Sequence, residues 1–207
     1  MRVIRAVRLP GGEVVFDALS AEDALDALRS GGLVVYPTDT LYGLGCDPSN
    51  ASAVDRVFAV KARPRDLPIA LALGSVEEIP RFAHMTALSS EFCAKHLPGP
   101  VTILLRATPA APAPLVSKDG LLGIRVPDDT ITRWIAKAFG PITTTSANRH
   151  GGAAPATCDE ALQQLGDAAD VYIDAGPTRH GKESTIVDLT GSSAKVIREG
   201  VLRREDF

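Results

Sequence analysis

Scarcity narrows the function of this chain first. Cysteine is rare, and Cys46, Cys93 and Cys158 are odd in number and far apart. They form neither a disulfide framework nor zinc spacing, so a reducing compartment, the cytoplasm, is expected. His84, His96, His150 and His180 fall in no ligand pattern such as H-E-x-x-H, and a protein-borne metal centre is not expected. An excess of positive charge is missing too: 22 Lys and Arg stand against 25 Asp and Glu, a net charge of −3. That argues against non-specific duplex binding, which relies on many cationic contacts to phosphates. No apolar run approaches the length of a membrane span, and the first residues lack the apolar core of a signal peptide. A G-x-S-x-G elbow is absent, so a serine hydrolase has no support.

What is present is ordinary globular material. With 207 residues, 45% of them hydrophobic and 23% charged, the chain is expected to form one domain over 1–207. The organising stretch is Leu33 to Pro48, LVVYPTDTLYGLGCDP. Its apolar opening reads as a buried strand, and Pro37, lacking an N–H, stops the ladder. Thr38, Asp39 and Thr40, followed by Tyr42-Gly43-Leu44-Gly45, read as a loop where backbone approaches a ligand closely.

Around it, strands and helices alternate. Met1 to Phe16 reads as one or two strands broken at Pro10-Gly11-Gly12. Ser20 is expected to cap a helix ending at Gly31-Gly32, and Asn50 a second one carrying Val54, Val57 and Phe58 on one face. Pro64 is expected to end that second helix. Further helices are predicted near 75–79 and over 86–96, 131–139 and 157–165, with Trp134 as a core anchor. Strands are predicted at 69–73, 101–106, 122–126, 142–145, 171–174, 184–189 and 194–198. Ala107 to Pro114, rich in Ala and Pro, reads as a surface excursion or a lid. The pattern gives an α/β sheet, at least partly parallel.

Several polar residues sit where chemistry is done. Lys61 and Arg63 flank a helix end, where cations also complement the macrodipole, and Pro64 fixes their direction. Arg125 lies inside the apolar run Ile124-Arg125-Val126, so either a core acid pairs with it or its face lines a cavity. A guanidinium fork in a cavity suits a carboxylate. Ser146 and Asn148 leave the end of a strand, the edge where open α/β sheets hold ligands, although an ordinary turn uses the same residues. Ser184 opens one late strand and Arg198 closes another. Gly176 to Glu183, GPTRHGKE, nearly matches a phosphate-binding G-x-x-x-x-G-K-[ST] loop, but Glu183 takes the hydroxyl position and a strand follows instead of a helix.

Seven segments in order resemble the YrdC-like threonylcarbamoyl-adenylate synthases: YPTDTLYGLGCDP (36–48), KARP (61–64), LPGPVTILL (97–105), GIRVPD (123–128), TTSAN (144–148), STIVDL (184–189) and IREG (197–200). Each is weak alone, and together they span roughly 21–200. The resemblance implies an open, twisted, mixed β-sheet flanked by helices around a deep cationic cavity. It also implies a reaction in which L-threonine, bicarbonate or CO2, and ATP with its Mg2+ give threonylcarbamoyl-AMP and pyrophosphate. Separate transfer proteins then carry the threonylcarbamoyl group to tRNA.

By the same resemblance, Thr40, Arg125, Thr144 and Ser184 would hold threonine. Lys61 and Arg63 would act in catalysis and, with Ser146, Asn148 and Arg198, bind the nucleotide. This chain departs from many relatives at Leu67, where an asparagine is common, at Ala72, where a histidine is, at Ala154 (serine) and at Leu121 (threonine). Two other readings compete: an RNA-binding module of the same fold without synthase activity, which fits the local clusters Lys61/Arg63/Arg65, Arg179/His180/Lys182 and Arg198/Arg203/Arg204, and a paralogue with another acceptor.

Overall fold

Alternation of buried side chains decides the architecture. In the computed structural model, which describes residues 1–8, 14–16 and 18–207, the apolar runs become strands of one mixed sheet. They are β1 (Arg2–Arg8), β2 (Val14–Phe16), β3 (Val34–Pro37), β4 (Tyr42–Gly45), β5 (Ala70–Ala72), β6 (Val101–Arg106), β7 (Leu121–Arg125), β8 (Ile142–Ser146), β9 (Val171–Asp174), β10 (Thr185–Asp188) and β11 (Lys195–Arg198). Across the sheet the order is β11-β10-β6-β7-β5-β8-β4-β3-β9-β1-β2. The pairs β1–β9, β3–β9, β5–β7 and β6–β10 run parallel and the others antiparallel.

In β3 successive side chains enter different cores: Val35 joins one apolar cluster, Val34 and Tyr36 the other, as a pleated strand with both faces covered requires. Helix α1 (Ala18–Arg29) packs Ala24 and Leu28 on the second cluster, together with Ile131 and Ile135 of α5 (Thr130–Ala138). The first cluster takes Val54, Val57 and Phe58 of α2 (Ala51–Lys61), Ile79 and Phe82 of α3 (Ile79–Phe82), Phe92 of α4 (Ala87–His96) and Ala161 and Leu165 of α6 (Cys158–Leu165). Trp134 is half-buried against the second cluster, the anchoring position expected of it.

Caps behave as their sequences predict. Asn50 accepts from the Ala53 N–H at 3.1 Å, and Thr157 and Glu160 form a reciprocal capping box. Helix α2 ends at Lys61, within the expected stretch Lys61-Ala62-Arg63-Pro64, with Ala62 as its cap in a left-handed conformation (φ 48°). Two expectations need correction. Helix α1 begins at Ala18, so Ser20 lies within its first turn instead of capping it. Tyr42 to Gly45 is strand and not loop, pairing Tyr42 with Pro37 and Gly45 with Val34. Pro10-Gly11-Gly12 lies outside the described residues.

The Tyr36 ring explains β4. A Cβ on Gly43 would stand 3.0 Å from that ring, and one on Gly45 only 2.5 Å from the Thr143 carbonyl oxygen. Bare backbone at both positions lets the ring lie against the strand, and the Tyr36 hydroxyl donates to Thr143 O at 3.0 Å. Thr38 to Leu41 is left as a tight turn, closed by Thr38 N donating to Leu41 O at 3.1 Å.

Candidate active site

The turn, the ends of the central strands and the segment after α2 enclose one open hollow of about 720 Å³, mouth included. Seven of the residues singled out by sequence line it: Thr40, Arg63, Arg125, Thr144, Ser146, Ser184 and Arg198. Lys61 and Asn148 lie outside that lining. None of residues 107–114 lines it either, so the Ala/Pro-rich stretch is no lid in this structure; buried Leu115 pins its far end.

At one end sits Arg125, delivered by β7 from an otherwise apolar run and buried. Its Nη2 donates to Asp39 Oδ1 at 2.5 Å, Thr40 Oγ1 at 2.7 Å and Thr38 Oγ1 at 3.4 Å. Both arrangements foreseen for this arginine therefore hold together: a core acid pairs with it, and it faces the cavity. The pair is almost dry, at 8% and 0% side-chain exposure. Asp39 Oδ2 and Arg125 Nε are buried without a hydrogen-bond partner. Asp39 was not singled out by sequence, although an acid between two threonines after a buried strand is the signal that would have found it. Nearby, Ser184 and Thr102 exchange a hydrogen bond at 3.0 Å. Thr102 also lines the hollow and had no sequence signal beyond a hydroxyl in an apolar strand.

The other end gathers cations. Arg63 is half-buried, its Nε donating to Leu67 O at 3.0 Å and its Nη2 to Pro68 O at 3.1 Å. Burial, and after it the Arg198 charge, lowers its pKa. Arg198 donates from Nη2 to Ser184 O at 2.8 Å and pairs through Nη1 with Glu183 Oε2 at 3.0 Å. Glu183, which disqualified the phosphate-loop motif, is the carboxylate of the lining. No helix follows that motif. Its loop instead buttresses the β3–β4 turn, with His180 N donating to Asp39 O at 3.0 Å and Thr178 Oγ1 to Thr40 O at 2.9 Å.

Lys61 is wholly buried, and its ammonium donates to the carbonyl oxygens of Ser146 and, at 2.7 Å, Asn148. Burial, then the neighbouring Arg63 charge, lowers its pKa to about 8, against a raising contribution from Glu183. Asn148 in turn donates to the carbonyls of Arg149 and Gly152, and its Oδ1 is buried without a partner. Lys61 thus staples the strand-end loop that presents Ser146 to the hollow. Of the departures, Ala72 is buried in the apolar core beside Arg125 in register, whereas Leu67 is exposed.

Among the described residues no group of three or more His, Cys, Asp and Glu is placed to hold a metal ion. Burial pushes the thiols of Cys46 and Cys93 up to about 11 and that of Cys158 to about 12, so all three stay protonated.

A hollow lined by three guanidinium groups, one of them pinned by a buried carboxylate, with several hydroxyls among them, set in an open mixed α/β sheet, defines the class of this protein. The Sua5/YciO/YrdC profile, described as "Telomere recombination", matches residues 26–200, and the chain belongs to this family. A putative threonylcarbamoyl-AMP synthase of Mycobacterium tuberculosis is 35% identical over 183 residues, 88% of this chain and 84% of that protein. A threonylcarbamoyl-AMP synthase of Vibrio cholerae is 34% identical over 184 residues, 86% of this chain and 96% of that protein. The crystal structure of P. abyssi Sua5 complexed with L-threonine matches with a TM-score of 0.91 at 28% identity, covering 100% of this chain and 59% of that one. This chain therefore spans about three fifths of that structure's length.

Proposed function

We propose that this protein is a threonylcarbamoyl-AMP synthase, making threonylcarbamoyl-AMP and pyrophosphate from L-threonine, bicarbonate or CO2, and ATP. One observation carries the reading. In a chain of this family, a buried arginine bonded to Thr40 shares a single hollow with Thr144, Ser184, Arg63, Ser146 and Arg198.

The chemistry suits those residues. The threonine amine takes up CO2 and loses a proton to become a carbamate. A carbamate oxygen then attacks the α-phosphorus of ATP, the new O–P bond forms as the bond to the pyrophosphate oxygen breaks, and no enzyme nucleophile is needed. The protein's task is to hold two anions in contact and to stabilise charge growing on phosphate oxygens. Arg125 would take the amino-acid carboxylate, with Thr40, Thr144 and Ser184 around it. Arg63 and Arg198 would take phosphate oxygens, and Ser146, held in place through Lys61 and Asn148, would sit between the two ends. Magnesium would arrive on the ATP phosphates as part of the substrate and share their charge.

Transfer of the product to tRNA would fall to separate proteins. The buried thiols fit work in the cytoplasm, and no helix among the described residues is long and apolar enough to cross a membrane. The RNA-binding alternative is not favoured: the net charge is −3.

Purified protein with threonine, bicarbonate and Mg-ATP should release pyrophosphate only when all three are present, with the adduct visible by mass spectrometry. Release indifferent to threonine removes the substrate assignment. Preference for another amino acid converts the protein into a paralogue with another acceptor.

A further inference from the structure

The loop rejected as a phosphate cradle still places one group of interest in the hollow. Glu183 is a carboxylate set among cations that are proposed to bind an anion. Its Oε2 lies 3.0 Å from Arg198 Nη1, and its charge also acts on Arg63 and Lys61. Both Arg125 and Arg198, which line the hollow, are paired with a carboxylate, and the two pairs differ in one decisive respect. Arg125 and Asp39 are 8% and 0% exposed, enclosed and fixed. Arg198 and Glu183 are 42% and 45% exposed, so the second pair faces solvent and its partners are free to exchange.

The backbone beneath Glu183 does not share that freedom. Val201 N donates to Glu183 O at 2.9 Å, and Gly200 packs so closely that a Cβ there would stand 2.2 Å from the same oxygen. Gly200 N also donates to Thr185 Oγ1 at 3.0 Å. Arg198 is held from its other side by Ser184 O at 2.8 Å. The guanidinium thus has a second anchor on the protein, whereas no second hydrogen-bond partner holds the Glu183 carboxylate among the described residues.

We infer that Glu183 is a specificity-determining residue of the nucleotide end: a built-in competitor that occupies Arg198 in the empty hollow and must swing aside for a phosphate. This rests on Arg198 serving the nucleotide. A tethered carboxylate in that position weakens every anion that needs Arg198. It thereby sets the affinity for ATP and, equally, hastens the departure of pyrophosphate and of the adenylate. Without it, Arg63 and Arg198 would face a polyphosphate product with no internal counter-ion to compete for it.

The test is calorimetric titration of ATP into the wild type and Glu183→Gln, first in EDTA and then with magnesium, alongside Arg198→Gln and the double variant. Glu183→Gln should bind magnesium-free ATP about 3- to 10-fold more tightly, the range expected on losing a half-exposed ion pair together with a like-charge repulsion. In the Arg198→Gln background the same change should gain less than about twofold, because the competed partner is gone. In turnover, KM for ATP should fall while kcat does not rise, a split that a merely structural role would not produce. Unchanged or weaker magnesium-free binding overturns the inference, as does a full gain without Arg198. Weakening seen only with magnesium overturns it too, and makes Glu183 a metal ligand. If neither wild type nor variant takes ATP, the proposed function falls and this inference with it, a pattern distinct from the others.

Discussion

Lys61 shows how far a residue's place in sequence differs from its place in space. Sequence reads it as one of two cations at a helix end, aimed together at a ligand. The left-handed residue between them, Ala62, turns the two apart: Arg63 reaches the hollow, and Lys61 goes inward to the Ser146 and Asn148 carbonyls. No local signal announces that turn, because an alanine rarely adopts it without tertiary support. Burial gives a measurable consequence. Lys61 titrates near pH 8 in the fold, below the 10.5 of the free side chain. Between those values the unfolded chain binds more protons, so this group's contribution to stability rises with pH across that window. Wild type should therefore gain up to about 3 kcal/mol relative to Lys61→Met from pH 8 to 10.5, at 1.36 kcal/mol per unit. Urea melts of both proteins at several alkaline pH values check this, and a constant difference would show that Lys61 does not change its proton there. The same variant should lower turnover, since the loop bearing Ser146 loses its staple.

Elements were legible where their causes are local. The caps at Asn50 and Thr157 and strands such as Val101–Arg106 and Val171–Asp174 follow from neighbours within a few residues. β4 was read as a loop because Tyr-Gly-Leu-Gly has no β-branched residue and two glycines. Its strand character comes from the Tyr36 ring laid across those glycines and from pairing with β8 on the other side, which are contacts between elements. Gly45→Ala tests this account. The new methyl would press on the Thr143 carbonyl, so the variant should lose about 1–3 kcal/mol in chemical denaturation. It should also lose activity, because β8 carries Thr144 and Ser146 to the hollow. A silent substitution would mean that the hairpin and β8 slide past each other freely.

At the scale of the whole molecule, the chain assembled its site from segments that sequence could name but not arrange. Motif order named nine site residues, seven of which line the hollow, yet strand order does not follow chain order: β10 comes beside β6, and β8 between β5 and β4. That order is what sets Ser184 beside Thr102 and brings Arg198 to the same basin as Arg125. The pairing of Asp39 with Arg125 and of Glu183 with Arg198 was not legible for the same reason, since one partner lies 86 positions away and the other across a hairpin. Ligands that bridge so many strands should stiffen the entire domain. ATP and threonine together, each near 100 times its Kd, add about 2.7 kcal/mol per site, which for this chain length corresponds to a rise in Tm of roughly 5–10 °C per ligand. Thermal scans with each ligand alone and with both measure it. No shift with threonine under any condition would remove Arg125 as its seat.

The dry pairing of Arg125 with Asp39 has a consequence for how such a chain is shaped over generations. Moving two charges out of water costs more than their attraction commonly returns, and apolar replacements of equal volume often leave a protein as firm or firmer. Selection for robustness alone would therefore erase both residues and fill the space with hydrocarbon. Their presence where the end of β7 meets the β3–β4 turn marks a standing compromise, in which the folded state carries a weakness so that the floor of the hollow can keep a charge aimed upward.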